Sequence, residues 1–174
     1  MTTKEVNILE VRQMTAAYLF HGSRVLLIRK EKSQLHGEPF WSGLGGHMEA
    51  EELNHPQATC FREIQEESGL TDEDITGLEL KYVLLRIKER EIRQQFVYMG
   101  FTDRTDAVPS DEGELDWIEV SELMELPMSA INRFMLEHYL LSPNREGITV
   151  GTITTDLEGN PCMQWAELKD PGRF

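Results

Sequence analysis

The chain of 174 residues is long enough for one domain with a small extension, and its 31 Asp and Glu against 17 Lys and Arg give a formal net charge of −14. This acidity argues against a protein that binds long nucleic acids, because the phosphate backbone selects basic surfaces, but it allows a phosphate substrate that arrives with a metal ion. Two cysteines, Cys60 and Cys162, exclude a disulfide framework and leave at most one bridge. The apolar runs are short and residues 1–7 lack the apolar core of a signal peptide, so we expect a cytoplasmic protein without a membrane segment.

The first part of the chain predicts a hairpin, a glycine-rich extended segment and a helix. Apolar runs over 11–20 and 24–29 are typical of strands, and His-Gly-Ser between them is typical of a turn. A polar loop is predicted over 31–39, followed by an extended stretch over 40–46 whose three glycines allow the backbone to approach a ligand closely. The helix is predicted over Pro56–Ser68, with Asn54 or His55 as its cap, Pro56 in the first turn and Gly69 just past the end.

The second part predicts more strands joined by tight turns, together with one further long helix. In chain order we expect strands over 78–88 and 92–102, a polar loop over 103–113, a strand over 115–120, a short helix from Ser121, a helix over 130–141, and a C-terminal hairpin of strands 148–155 and 162–168. Strands and helices mixed in this way predict an α+β protein with a mixed sheet.

The helix over Pro56–Ser68 carries three carboxylates, Glu63, Glu66 and Glu67, at positions i, i+3 and i+4. At 3.6 residues per turn they share one face, where like charges repel each other and the helix dipole near the C-terminus disfavours anions. Such an arrangement needs a compensating cation, and ligands that are all oxygen favour Mg²⁺ or Mn²⁺ over zinc. The alternative is a solvated acidic face on a surface helix.

Two stretches around this helix resemble the Nudix box, whose pattern is G-x5-E-x7-R-E-U-x-E-E-x-G-U with U an aliphatic residue. Gly46 and Glu52 fit the first part of the pattern, and Arg62 through Leu70 fit its last nine positions. Two departures stand out. Nine residues lie between Glu52 and Arg62 where the family has seven, which indicates a two-residue insertion before the helix. Glu51 also stands where the family commonly has glycine.

The resemblance implies a Nudix-like mixed sheet between helices, an α/β/α sandwich, in a single domain over 1–174. Its core is expected over about 5–142, with the hairpin over about 146–168 as an extension. The implied reaction is hydrolysis of a nucleoside diphosphate linked to another moiety, X, by attack of water on phosphorus. The implied cofactor is Mg²⁺, with Mn²⁺ as the alternative.

The resemblance also implies roles for the residues of the box. Glu66 and Glu67 would hold the metal, and Glu63 would either hold it too or accept the proton of the attacking water. Arg62 is implied to be structural and to pair with Glu52. The carbonyl of Gly45 or Gly46 would complete the metal site beside the substrate.

Further candidate site residues lie outside the box. An acidic loop over 111–117 is the source of a further ligand, for which we favour Glu112 over Glu114; a solvated loop is the alternative. Arg29 ends a strand where family members often place a phosphate-binding arginine, although a plain surface arginine fits equally well. Asn132 has both a donor and an acceptor for a purine edge, yet a surface asparagine needs no such role. Aromatic residues that could stack on a base, but that also suit a core, are Trp41, Phe96 and Tyr98.

The general layout resembles the mutator-type (MutT-like) branch of the family, which implies a small-molecule nucleotide substrate of the 8-oxo-dGTP kind. Three alternatives stay open: an ADP-ribose or nucleotide-sugar hydrolase, a dinucleoside polyphosphate hydrolase, and a non-catalytic module that senses a nucleotide. Neither a membrane nor a long nucleic acid is expected as a partner. The C-terminal hairpin has three open roles: it caps the sheet, lines the pocket, or exchanges with a second copy in a homodimer.

Overall fold

The structure, a computed structural model, describes residues 9–31 and 37–172. Within these residues a mixed sheet of eight strands is flanked by two α-helices. The strands are β1 (Glu10–His21), β2 (Arg24–Lys30), β3 (Phe40–Ser42), β4 (Thr76–Lys88), β5 (Glu91–Phe101), β6 (Glu114–Glu119), β7 (Ile148–Thr155) and β8 (Pro161–Leu168). The α-helices are α1 (Pro56–Ser68) and α2 (Ala130–Leu141), and short 3₁₀ helices lie at Ala50–Glu52, Asp72–Asp74 and Val120–Glu125.

The sheet has the strand order β3-β2-β1-β5-β4-β7-β8, and β6 pairs with β2. Two of the pairings, β1 with β5 and β4 with β7, are parallel, while the others are antiparallel. Strand β1 is central, and its second half, residues 15–20, is buried on both faces, which explains the mostly apolar residues there.

The core lies on the two faces of this sheet, and the alternation of side chains along β1 divides it. Ala16, Tyr18 and Phe20 pack with α2 on one face. Ala17 and Leu19 pack with α1 on the other face. The predicted α+β fold with a mixed sheet between helices is therefore confirmed.

Some of the segments predicted from the sequence lie partly or wholly outside the described residues. The loop over 31–39 is described only at its ends, and residues 1–7, the predicted start of the core at residue 5, and His36 lie outside the described residues. No helix in the described part of the chain is long and apolar enough to cross a bilayer.

The C-terminal hairpin extends the sheet, because β7 pairs with β4 and β8 continues from β7. Its attachment centres on His138 of α2, whose ring stacks on Trp165 of β8 at 4.3 Å between centroids. The Arg145 guanidinium donates to His138 Nε2 at 3.3 Å, so the other ring nitrogen, Nδ1, carries the proton and donates to the Tyr82 hydroxyl at 2.9 Å. Burial, and then the Arg145 charge, lowers the pKa of His138.

We expect this contact to make the free energy of unfolding depend on pH near 6. The folded state lowers the pKa of His138. The contribution of neutral His138 to the free energy of unfolding is therefore complete above the unfolded pKa of about 6.5, and it is lost as the pH falls through the lower folded pKa. His138→Phe keeps a ring against Trp165 but cannot titrate. The fall in the urea unfolding midpoint between pH 7.5 and 5.5 should thus be smaller in this variant than in wild type. Equal falls would contradict the assignment.

Candidate active site

Helix α1 brings two carboxylates to its buried face. Pro56 occupies its first turn, and the helix ends at Gly69, whose φ of 72° is left-handed and whose N–H donates to the Gln65 carbonyl. Between these ends the helix packs Ile64 against the sheet, and Glu63 and Glu67 are only 6% and 0% exposed. Carboxylates are seldom buried without partners, so their surroundings decide what they do.

A third carboxylate, Glu112, joins them from the loop that precedes β6. Glu63, Glu67 and Glu112 each offer a carboxylate oxygen, and the three oxygens lie within 4.8 Å of one another. We call these three residues the acidic trio. The loop of Glu112 has no regular structure, so only the folded chain shows that it reaches α1.

Glu67 is held by groups on both sides of its carboxylate. The Gly45 N–H donates to Oε2 at 2.7 Å, and Lys30 Nζ donates to Oε1 at 2.8 Å and to the Gly45 carbonyl at 3.3 Å. Burial raises the pKa of Glu67 to about 7, against the opposing effect of Lys30. The Gly45 carbonyl and the Glu67 carboxylate therefore share the Lys30 ammonium, which makes this carbonyl an additional oxygen near the trio.

Glu63 lies directly over Gly46, where the backbone has no side chain. A Cβ built on Gly46 would stand 2.6 Å from all three atoms of the Glu63 carboxylate group. Burial raises the pKa of Glu63, and the charges of Glu66 and Glu112 act in the same direction, while Arg62 opposes them. The missing side chain of Gly46 thus leaves the space that the Glu63 carboxylate occupies.

Arg62 connects the helix to the segment before it. Its Nε and Nη2 donate to the two oxygens of Glu52 at 2.8 and 2.9 Å, and Nη1 donates to Glu63 at 2.8 Å. The bidentate contact lowers the pKa of Glu52 to about 2. A turn over residues 53–55 joins the 3₁₀ helix at Ala50–Glu52 to α1, and Glu52 contacts Arg62 across this turn.

Further residues of the predicted site make contacts outside the acidic trio. Glu66 stands outside the acidic trio: its side chain is 51% exposed and accepts a hydrogen bond from Arg62, because a step of one residue turns it away from the buried face. The Gly46 carbonyl accepts the Thr15 N–H at 2.9 Å, whereas the Gly45 carbonyl accepts from Lys30, which also binds Glu67. Arg29 forms an ion pair with Glu114 at 3.1 Å, and Glu114 is not a member of the trio.

A cleft of about 270 Å³ opens beside this cluster on the face of the sheet that carries α2. It is lined on one side by Lys30, Gly45 and Gly46 and on the other by the start of α2, where Asn132 is 8% exposed. Among the described residues, the Asn132 side-chain amide has no hydrogen-bond partner, which leaves its donor and acceptor for a ligand.

The aromatic candidates and Lys30 complete the comparison with the sequence. Tyr98 is buried in the core, Phe96 packs against the same core, and Trp41 packs against the core on the α2 face.

Sequence reasoning missed Lys30, although a signal existed. Leu26 and Ile28 pack on the α1 face of the sheet, and Lys30 is the next residue in this alternation. The alternation therefore predicts that the Lys30 side chain lies on the same face as the carboxylates of α1.

The donor set fits a hard divalent cation. The acidic trio and the Gly45 carbonyl offer oxygen only, and burial together with the charge of Glu112 raises the pKa of both Glu63 and Glu67. A site with this excess of negative charge favours Mg²⁺ or Mn²⁺ over zinc, which prefers nitrogen and sulfur ligands.

We expect Mg²⁺ to bind more tightly as the pH rises through 7. The metal-free pKa of Glu67 is about 7, so below that pH the ion must displace a proton, and above it no proton competes. Calorimetric titration at pH 6 and pH 8 should show a higher affinity at pH 8 and proton release at pH 6. An affinity that does not change with pH would contradict the role of Glu67.

The comparisons with known proteins agree with this geometry. The family model described as the NUDIX domain matches residues 11–139. A solved MutT mutator protein from Bacillus halodurans is similar at 24% identity and a TM-score of 0.68, over 88% of this chain and 97% of that one. A MutT NUDIX hydrolase from Burkholderia pseudomallei is similar at 22% identity and 0.61, over 74% and 97%.

A third solved structure carries a different name. An Ap4A hydrolase from C. elegans is similar at 16% identity and a TM-score of 0.60, over 76% of this chain and 96% of that one. No curated protein sequence matches the chain. The likeness to these structures concerns the fold.

Proposed function

The chain belongs to the NUDIX family and is a hydrolase of pyrophosphate bonds, and on that premise we propose that it uses Mg²⁺ to cleave nucleoside triphosphates of the 8-oxo-dGTP type to the monophosphate and diphosphate. The observation that supports this proposal is the acidic trio, because Lys30 and Gly45, which both contact Glu67, also line the adjacent cleft. We further propose that the described residues form one catalytic domain with β7 and β8 as its extension.

Each residue has a part in the proposed reaction. Glu63, Glu67, Glu112 and the Gly45 carbonyl hold the metal, which when bound supplies positive charge to the diphosphate oxygens and makes water more acidic. Glu63, whose pKa is raised, is suited to take the proton of the attacking water. Arg62 and Glu52 act as positioning residues, since the Arg62 guanidinium donates to Glu63 and is itself held by Glu52.

Asn132 supports a purine as the base. Its amide lies in the cleft, is nearly buried, and has a free donor and acceptor that match the edge of a purine.

A substrate panel tests the proposal. The purified protein is incubated with Mg²⁺ and 8-oxo-dGTP, dGTP, ADP-ribose or Ap4A, and the nucleotide and phosphate products are separated and quantified. We expect diphosphate and the monophosphate from 8-oxo-dGTP at the highest kcat/KM. Release of AMP from ADP-ribose or Ap4A without turnover of triphosphates would overturn the substrate proposal, and activity on none of them would overturn the catalytic one.

A further inference from the structure

Three arginines stand side by side across the middle of the sheet. Arg12 of β1 is the register partner of Arg93 of β5, and Arg93 is in turn the register partner of Arg86 of β4. Neighbouring strands lie about 4.8 Å apart, so the three residues form one row perpendicular to the strands. We call Arg12, Arg93 and Arg86 the arginine row.

The row faces the cleft. Arg93 lies four residues before Val97 and Arg86 two residues after Leu84, and both of those apolar residues pack on the α2 face. Arg86 and Arg93 line the cleft itself, together with Gly45 and Lys30 at the end next to the acidic trio. One cleft therefore connects two guanidinium groups with Lys30 and Gly45, the residues that contact Glu67.

The row carries more positive charge than its carboxylate partner balances. Glu91 binds Arg12 at 2.8 Å and Arg93 at 2.8 Å. Within the described ranges, Arg86 has no carboxylate within 4.0 Å, and burial, followed by the Arg93 charge, lowers its pKa. Like charges placed directly opposite each other destabilise a sheet, so this row is costly unless an anion joins it.

We propose that the arginine row is an anion subsite that binds a second phosphate group of the substrate, one carried outside the diphosphate that is cleaved. This inference rests on the proposed function, because it takes the acidic trio as the place of cleavage. Guanidinium groups bind phosphate oxygens in bidentate pairs, and Gln95 in the same cleft adds an amide donor. The substrate class is then a nucleotide with an additional phosphate rather than a diphosphate whose other groups are neutral.

Two matched pairs of substrates locate that phosphate. The pair dGTP and dGDP differs in a phosphate on the X side, and the pair NADPH and NADH differs in a phosphate on a ribose. We expect wild type to prefer the member with the extra phosphate in at least one pair. In Arg86→Gln that preference should fall about ten- to hundredfold, mainly through KM, because one charge-assisted contact is lost.

A binding measurement without metal tests the subsite apart from catalysis. With EDTA present, inorganic tripolyphosphate should raise the unfolding temperature of wild type. The increase should be absent in Arg86→Gln and partly retained in Arg86→Lys, which keeps the charge but loses the planar fork. Arg24→Gln is the control, since it removes a guanidinium that lies over the Trp117 ring and does not line the cleft.

The outcomes separate this proposal from the proposed function. An equal preference in wild type and Arg86→Gln, or no thermal shift of wild type with tripolyphosphate, overturns the anion subsite. A protein that cleaves none of the substrates fails the proposed function, and the thermal shift still decides the subsite.

Discussion

Replacing Glu67 with glutamine is expected to lower kcat about a hundred- to thousandfold, because a bound metal contributes several kcal/mol to the transition state and each 1.36 kcal/mol is a factor of ten. Glutamine keeps an oxygen that can accept the Gly45 N–H, which now donates to Glu67 at 2.7 Å. It cannot offer the charge that a cation requires. Because its NH2 group cannot accept the hydrogen bond that Lys30 now donates to Glu67 Oε1 at 2.8 Å, the unfolding temperature without metal should fall, so kcat is compared at a temperature at which both proteins are folded.

Glu66→Gln is the matched control for this change. It is the same substitution one residue away on the same helix, but Glu66 is half exposed and binds Arg62 rather than the acidic trio. Its effect on kcat should be much smaller than that of Glu67→Gln. Equal losses in the two variants, or full Mg²⁺-dependent activity of Glu67→Gln, would contradict the assignment of the trio.

Local signals in the sequence were sufficient for α1 and for most strands. Pro56 and Gly69 mark the two ends of the helix, and the alternation along β1 separates the two faces of the core. These features depend on residues that are close together in the chain. Helix-end signals act within one or two turns, and the alternation of side chains repeats every two residues of a strand. The same is true of the acidic pattern of α1 as a whole.

The other features of the site depend on contacts between segments that are distant in the chain, and local sequence patterns do not show these contacts. Sequence spacing places Glu63, Glu66 and Glu67 on one face about 100° wide, but the sheet buries only part of that face, and this selects Glu63 and Glu67. Lys30 instead of its neighbour Arg29 faces the site because β3 and β6 fix the orientation of β2. The arginine row is visible only from the register, since its members belong to three separate strands.

The fit between Gly46 and Glu63 leads to the second large effect that we expect. Gly46→Ala should lower kcat about a hundredfold, because misplacing a catalytic group by 1 Å has an effect of that size. The new Cβ would stand 2.6 Å from the Glu63 carboxylate, so the carboxylate must move away from Arg62 and from the acidic trio. Steady-state kinetics with saturating Mg²⁺ measures the loss.

The neighbouring glycines show whether that loss comes from the site or from the fold. The end of a glutamate side chain can rotate aside, so Gly46→Ala should unfold near the wild-type temperature, and Gly37→Ala, which meets nothing within 4 Å, should change neither property. Gly45→Ala differs from both: its Cβ would lie 2.1 Å from the Thr15 backbone oxygen at a φ of 150°, and neither can yield without moving β1. We therefore expect Gly45→Ala to lose stability and Gly46→Ala to lose activity. Full activity of Gly46→Ala would show that the position of Glu63 does not limit catalysis.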